Sequence, residues 1–248
     1  MTWLRLVRGE IRKLTTTKMP WVFLVVLLII AAIDAAVVVF GTDMDGSKTF
    51  IASGADQQSL MAFGFNAMLG TALFGTIAVA REYGHGTVVP TFLTSPRRPR
   101  AILAQQTAVS LAGAALALIG QVLIIAAVAL ALPSTDYGFM VSAGDLTQLL
   151  AASALAGAIG ALLGAGLGAV IRNVGGAVTT VVLVLFVIPP LAVQLVTDAV
   201  SWIPTTLFSV ISGVTAEVSL WAALIAIAAW ALVPSAAGVM AVQRRDVV

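Results

Sequence analysis

The sequence predicts an all-α integral membrane protein with six transmembrane helices, preceded by an N-terminal amphipathic interfacial helix. Of its 248 residues, 60% are hydrophobic and only 10% are charged, whereas soluble domains carry about 25% charged residues. The apolar residues form blocks of about 20, the length of helix that crosses a hydrocarbon core of about 30 Å. The 13 Lys and Arg residues fall almost entirely on one side of the resulting topology.

The segment 1–19 is predicted to form an amphipathic helix that lies on the membrane. Trp3, Val7, Ile11 and Leu14 recur at helical spacing, and the basic residues fall largely on the opposite side. Such a helix buries its apolar face in the membrane interface and holds its cations near anionic headgroups. It serves either as a lever that transmits movement of a partner to the first span or as an anchor alone. No small-residue cleavage site follows it, so we do not expect a cleaved signal.

The six-span transmembrane domain is predicted to occupy residues 20–248. Its fifth span is irregular, because Pro189 and Pro190 remove backbone donors and are expected to interrupt it after about a dozen apolar residues. The stretch 191–217 is interpreted as a short re-entrant or extracellular helical segment between spans five and six, packed on protein so that its backbone groups stay satisfied. The predicted spans are residues 20–40, 59–80, 101–132, 146–171, 176–197 and 218–240.

The basic residues predict the orientation of these spans. Six spans place twelve of the 13 Lys and Arg residues on one side and only Lys48 on the other. Basic loops stay on the cytoplasmic side of a membrane. We therefore expect a multi-pass protein with both termini in the cytoplasm. The basic residues of the inner side are Arg5, Arg8, Arg12, Lys13, Lys18, Arg81, Arg97, Arg98, Arg100, Arg172, Arg244 and Arg245.

The connection between the second and third spans, residues 81–100, is the longest predicted inner loop. A loop that only joins two helices needs about two to eight residues, so a loop of about twenty indicates a partner. It runs from a polar stretch, through a short apolar stretch at residues 88–93, to an end rich in Pro and Arg. This order favours a short helix docked on another protein. For the arginines alone, the charge bias of inner loops is an equally good explanation.

This loop resembles the loop after the second span in type-2 ABC exporter permeases. The similar residues are Glu82-Tyr83-x-His85-Gly86-Thr87, then Phe92-Leu93, then Pro96-Arg97-Arg98-x-Arg100. The resemblance extends over the whole chain. Its other features are an amphipathic helix with Arg, Glu and Lys before the first span, six spans, and an irregular segment between the last two. The ending Gln243-Arg244-Arg245-Asp246-Val247 is typical of actinobacterial-looking members.

The resemblance implies the permease subunit of an ABC exporter in the bacterial cytoplasmic membrane. In that family this loop forms a coupling helix that seats in a groove of the ATP-binding subunit. Two copies of that subunit would serve a homodimer of this chain or a heterodimer with a related permease. The residues implied for the coupling region are Glu82, Tyr83, His85, Gly86 and Thr87, and those implied for its membrane-proximal basic end are Arg97, Arg98 and Arg100.

Absent motifs predict how the work is divided between subunits. No G-x-x-x-x-G-K-[ST] phosphate loop occurs in the sequence, so we do not expect this chain to bind ATP in that manner. We expect it not to be an enzyme and to bind no cofactor, with ATP and Mg held by a separate polypeptide. The chain has no cysteine, which excludes disulfides and thiol-ligated metals. The lipid bilayer is an expected partner, and nucleic acid is not.

Polar residues inside the spans are candidates for a substrate path. Asp34 is the only acidic residue well inside a predicted span, where a charge costs about 2.5–3.5 kcal/mol. Asn66 and Gln121 are the other candidates for this path. Interhelical hydrogen bonding is the favoured explanation for Gln121, as it is for Gln105 and Gln106.

The fourth span carries a repeated small-residue face made of Gly160, Gly164 and Gly168, which Ala156 extends. Small residues let helix backbones approach closely where lipid supplies no hydrophobic driving force. We favour a packing face within one subunit over a seam between two subunits.

Taken together, these features predict a permease that exports an amphiphilic solute such as a drug, lipid or natural product, because the spans carry few charges. The alternative is an ion-coupled secondary transporter that uses Asp34, for which the break at Pro189 is suggestive but no internal repeat is visible. A membrane subunit in assembly or signalling is a further alternative. A membrane enzyme is disfavoured, because the only histidine is His85 in a loop and no acidic pair lies in any span.

Overall fold

The structure is a computed structural model that describes residues 3–84 and 98–244, without the side chains of Arg98 and Thr197. Within these residues the chain is helical and contains no strand. Six helical stretches are long and apolar enough to cross a membrane, which confirms the predicted fold class. The helices are α1 (Trp3–Thr15), α2 (Met19–Phe40), α3 (Gly54–Met61), α4 (Gly64–Gly84), α5 (Arg98–Ala131), α6 (Ala143–Ile171), α7 (Val174–Val182), α8 (Ile188–Leu195), α9 (Pro204–Ile211) and α10 (Leu220–Arg244).

The spans agree with the predicted ones to within a few residues, except for the second. They are Met19–Phe40, Gly54–Gly84, Pro99–Ser134, Ala143–Ile171, Val174–Leu195 and Leu220–Arg244.

The second span begins earlier than predicted because it contains the short polar helix α3. Ser53 caps α3, accepting a hydrogen bond from the Asp56 backbone amide at 3.2 Å while the Asp56 carboxylate accepts from the Ser53 amide. Gln57 is fully buried, and its side-chain amide donates to the Gly138 carbonyl at 2.9 Å. The chain then turns at residues 62–63 and continues as α4. Gln57 and Gln58 of α3 lie inside the protein because carbonyls distant in the sequence accept their hydrogen bonds.

The fifth span continues through the two prolines that were expected to interrupt it. A π-helical turn at Leu183–Val187 joins α7 to α8, and Pro189 lies in the first turn of α8. The Ile188 amide, directly before Pro189, donates to the Leu183 carbonyl, which is the five-residue spacing of a π turn. The wider π turn absorbs the irregularity within the helix, and the interruption predicted at Pro189 and Pro190 is therefore wrong.

Short helices follow the fifth span, as predicted for residues 191–217. A 3₁₀ segment at Thr197–Trp202 precedes α9, which packs against α4 and α10. Leu207 and Phe208 of α9 are buried, and a Cβ at Gly64 of α4 would lie 3.1 Å from the Phe208 side chain. These contacts fix α9 to the helix bundle, and its depth in a bilayer stays a prediction.

Helix α6 forms the centre of the bundle and contacts α4, α5 and α10. Helix α2 lies at the edge, where it packs on α5 and only slightly on α4. The outward face of α2 is apolar and exposed, with Trp21, Val25 and Ile29 each more than half exposed. A helix that presents such a face is suited to contact with lipid hydrocarbon.

Helix α1 packs on the beginning of α5. Val7 is buried against Ala104 and Ala108 of α5. Glu10 is also buried, whereas Ile11 is 36% exposed. The face of α1 that contacts protein is centred on Trp3, Val7 and Glu10. Ile11 stays available to the membrane interface, and the predicted burial of its apolar face there stays a prediction.

The bundle has two ends that differ in charge. The basic end holds α1, the end of α4, the beginning of α5, the turn at residues 172–173 and the end of α10. The loop end holds the connections at residues 41–53, 132–142 and 196–219. Lys48, the only basic residue predicted for that side, donates hydrogen bonds to the carbonyls of Val38 and Val39 and so caps α2.

Candidate functional site

An ionic cluster at the basic end joins α1 to α4. The Lys13 amine donates to the Glu10 carboxylate at 2.8 Å and lies 3.4 Å from the Glu82 carboxylate. The Glu82 side chain is only 15% exposed. Helix α1 therefore contacts the end of α4 through one cation shared between two carboxylates.

The environment of this cluster keeps Lys13 charged. Burial alone lowers the pKa of the Lys13 amine, but the Glu10 hydrogen bond and the charges of Glu82 and Glu10 outweigh it, so this pKa lies above its ordinary value of 10.5. Gln105, near the beginning of α5, hydrogen-bonds the Glu82 carboxylate. The end of α4 is thereby tied to both α1 and α5.

The next residue, Tyr83, contacts the turn between the fourth and fifth spans. The Arg172 guanidinium lies 5.1 Å from the centre of the Tyr83 ring, within the range of a cation–π contact. Arg172 caps α6 in the left-handed region, with φ of 59°, and its Nη2 donates to the Ala241 carbonyl of α10 at 3.4 Å. Glu82 and Tyr83 together link the end of α4 to α1, α5, α6 and α10.

The structure describes part of the predicted coupling region. Glu82 and Tyr83 form the last turn of α4, and Arg100 lies partly exposed in the first turn of α5. The backbone of Arg98 opens α5. His85, Gly86, Thr87 and Arg97 lie outside the described residues, so their predicted roles stay predictions.

A cavity of about 470 Å³ with charged side chains in its lining lies beside the ionic cluster, and we call it the basic-end cavity. It is bounded by the end of α1 and the end of α4. Its position places charged groups at the basic end of the space between these helices. The residues that line it are Lys13, Leu14, Thr16, Thr17, Ala78, Arg81 and Glu82.

A second cavity, of about 250 Å³, lies between α2, α4 and α5, and we call it the α2–α4 cavity. Its walls are apolar except for Asn66 and Thr71 of α4. The Thr71 hydroxyl donates to the Ala67 carbonyl of its own helix at 2.7 Å. Asn66 is exposed, and no hydrogen bond joins its amide to another described residue. The cavity thus offers one free amide in an apolar setting.

Asp34 lies on α2, one helical turn after Ile30, which lines the α2–α4 cavity. Its side chain is half-buried, and among the described residues it forms no ion pair. The structure thus brings Asp34 and Asn66 to neighbouring helices along one seam.

Gln121, by contrast, is fully buried, and both the nitrogen and the oxygen of its side-chain amide form hydrogen bonds. Its Nε2 donates to the Met61 carbonyl at 3.0 Å, and its Oε1 accepts from the Ser153 hydroxyl at 2.6 Å. Gln106 forms a similar reciprocal pair with Ser235 of α10, at 3.2 and 2.9 Å. These amides hold helices together, which is the explanation favoured from the sequence.

The small-residue face of α6 lies against α4 of the same chain. A Cβ at Gly160 would overlap the Met68 carbonyl, and one at Gly164 would overlap the Ala72 carbonyl. A Cβ at Gly168 would lie 2.9 Å from the Thr76 carbonyl oxygen. The three glycines therefore permit close contact between the second and fourth spans.

Sequence reasoning did not identify several residues of this region. Lys13 stands three residues after Glu10, a helical spacing that predicts their pairing, but its contact with Glu82 joins residues 69 positions apart. The contact of Arg172 with Tyr83 and the ring contact of Phe23 with Phe74 also depend on how the helices pack. The local sequence carries no signal for that packing.

No cluster of three or more His, Asp or Glu side chains that could hold a metal occurs within residues 3–84 and 98–244. No protein-family model matches this sequence, and no curated protein matches it with statistical significance.

Proposed function

We propose that this chain is the permease subunit of an ATP-driven ABC exporter that moves an amphiphilic solute across the bacterial cytoplasmic membrane. The basic end faces the cytoplasm, and a separate polypeptide binds and hydrolyses ATP with Mg. The permease works as a homodimer or as a heterodimer with a related permease, together with two ATP-binding subunits.

The observation that carries this proposal is the position of Glu82 and Tyr83. These residues open the motif that resembles a coupling loop, and their side chains contact α1, α5 and the α6–α7 turn. A force applied to residues 85–97 by a partner would reach these elements through the last turn of α4. A loop that only joined two spans would not need these contacts.

The orientation is supported by the charges of the two ends. Exposed Arg5, Arg8 and Arg12 cover the free side of α1. Basic residues near the ends of spans favour the cytoplasmic side and the anionic headgroups of the inner leaflet. The one predicted outer cation, Lys48, caps α2 instead of presenting a free charge.

Co-purification tests the proposed partner. We expect the tagged chain, expressed with its neighbouring genes and extracted in mild detergent, to recover a protein that contains a phosphate loop. The double variant Glu82→Ala with His85→Ala should reduce that recovery several-fold. Lys18→Ala, an exposed change at the same end, should leave it unchanged. Purification of the chain alone in every preparation would contradict the proposal.

The second candidate is an ion-coupled secondary transporter, which the half-buried position of Asp34 within α2 favours. Acidic residues inside membrane spans mark ion pathways and proton relays. In that case Asp34→Asn would abolish transport driven by a proton gradient, and transport would proceed without ATP.

A further inference from the structure

The two cavities lie along one seam of the bundle. Helix α2 packs mainly on α5 and contacts α4 only slightly. The α2–α4 cavity borders α4 from Phe63 to Leu73, and the basic-end cavity borders it from Ala78 to Glu82. Because α4 is continuous, these cavities follow each other along its axis, from the middle of the span to the basic end.

An aromatic contact lies between the residues of α4 that line the two cavities. The rings of Phe23 on α2 and Phe74 on α4 meet edge to face, with centroids 5.4 Å apart and planes at 87°. Phe74 directly follows Leu73 of the α2–α4 cavity and precedes Ala78 of the basic-end cavity by one turn. Phe74 is fully buried, whereas Phe23 is only partly buried. Phe23 can therefore change rotamer while Phe74 stays packed in the core with Ala161 of α6.

The chemistry of the α2–α4 cavity indicates what it holds. Its volume of about 250 Å³ is slightly below the range of about 300–1,000 Å³ for drug-sized ligands, so a slim body suits it. Its lining is apolar apart from Asn66 and the internally bonded Thr71. The Asn66 amide has no hydrogen-bond partner among the described residues, and a ligand with one hydrogen-bonding group would give it one.

We propose that the seam between α2 and α4 is the route by which a slim amphiphile enters from the basic end, with the Phe23–Phe74 contact as its gate and the α2–α4 cavity as its binding site. This inference rests on the proposed export function, because it names the class of solute and its route. The apolar body lies against α2 and α5, and the polar group bonds to Asn66. The charged lining of the basic-end cavity receives the polar group before the gate opens.

Thiol labelling tests the gate without any transport assay. The chain has no cysteine, so a single introduced cysteine is the only thiol that a reagent can label. Gly70 lines the α2–α4 cavity, and a Cβ there would have no atom within 4 Å, which makes Gly70→Cys a mild reporter. A thiol reacts as its thiolate, which needs water, and a charged thiol reagent does not enter through lipid.

In the full chain in lipid nanodiscs, Phe23→Ala should increase the labelling rate of the Gly70→Cys thiol at least about tenfold. Phe40→Ala, at the far end of α2 and 82% exposed, is the matched control and should leave the rate unchanged. A Thr16→Cys thiol in the basic-end cavity should react rapidly in every background. Rapid labelling at Thr16→Cys with no effect of Phe23→Ala at Gly70→Cys would overturn the gate, as would an equal effect of Phe40→Ala.

Binding of a dansyl-labelled long-chain alkylamine to the same nanodiscs tests the site. Gly70→Leu fills the cavity and should weaken binding at least about tenfold, and Asn66→Ala should weaken it about threefold or more. Gly9→Leu, on α1 where a Cβ also meets nothing within 4 Å, should have no effect. Equal binding by the parent and Gly70→Leu proteins would refute the site. If both nanodisc tests give the expected results and no ATPase associates with the chain, the route and the binding site along the seam are supported and the export proposal is refuted.

Discussion

The close contact between α4 and α6 gives a stability prediction that one methyl group can test. A Cβ at Gly164 would overlap the carbonyl oxygen of Ala72 and lie 2.8 Å from the Thr76 hydroxyl oxygen. The Thr76 hydroxyl also donates to the Gly164 carbonyl at 3.1 Å. Backbone atoms cannot rotate away, so Gly164→Ala must separate the two helices and stretch this hydrogen bond. We therefore expect Gly164→Ala to destabilise the protein.

Gly70→Ala supplies the matched control for the magnitude. A Cβ at Gly70 meets no atom within 4 Å, so the change adds a methyl group without a clash. The gain in helix propensity, about 1 kcal/mol, applies to both variants and cancels in their comparison. The difference isolates the cost of overpacking, which is typically about 1–3 kcal/mol. Gly164→Ala should therefore have a free energy of unfolding lower than that of Gly70→Ala by this amount.

The assay is reversible unfolding in mixed micelles with increasing SDS, followed by far-ultraviolet circular dichroism. The two variants are compared under identical lipid and detergent conditions, because absolute stabilities depend on the medium. Equal unfolding midpoints for Gly164→Ala and Gly70→Ala would refute the reasoning, since they would mean that α4 and α6 do not approach at this glycine.

Three further predictions concern the bonds that join the helices. A double-mutant cycle of Lys13→Ala and Glu82→Ala should give a coupling of about 0.2–1 kcal/mol that falls with added salt. Because the pKa of Lys13 is raised, the coupling should persist up to its ordinary value of 10.5, provided that the Glu82 carboxylate is ionised, and should be lost as the pH rises through the raised value. Gln121→Leu should lower the free energy of unfolding by about 1–3 kcal/mol, because the Met61 carbonyl and the Ser153 hydroxyl lose their partner, and a wild-type SDS unfolding midpoint would contradict this. Arg172→Gly should be more stable than Arg172→Ala by about 1 kcal/mol in the same assay, because only glycine adopts its φ of 59° without strain; equal midpoints would exclude that strain.

The sequence was informative wherever the bilayer imposes a local rule. Blocks of about 20 apolar residues predicted the six spans because hydrocarbon forces each crossing helix to be apolar along its own length. The glycines of α6 could be recognised for a similar reason, since close helix contact in lipid requires small side chains at helical spacing. Both signals are contained in one stretch of chain.

The sequence was uninformative where distant residues satisfy a polar group. Gln57 precedes the predicted second span, yet it is buried, and the Gly138 carbonyl accepts its hydrogen bond. Glu10 is buried in α1 while Ile11 is exposed, because Lys13 and helix α5 determine which face of α1 contacts protein. Pro189 was expected to break the helix, and a π turn accommodated it. None of these outcomes follows from periodicity.

The candidate site combines both cases. Glu82 and Tyr83 were identified from a motif, and Asp34 and Asn66 were identified as polar residues inside apolar spans. The seam that brings Asn66 into a cavity was not predictable, because it arises from the slight contact between α2 and α4. The Phe23–Phe74 contact also depends on that packing, since two phenylalanines in different spans carry no sign of their pairing.

The most direct test of the account is solute uptake into inside-out membrane vesicles that contain this chain and its neighbouring phosphate-loop protein. With the dansyl-labelled alkylamine as solute, the account predicts uptake that requires hydrolysable ATP, survives a protonophore and falls sharply in Glu82→Ala with His85→Ala. Uptake that proceeds without ATP, collapses with the protonophore and disappears in Asp34→Asn would contradict the account and establish an ion-coupled transporter instead.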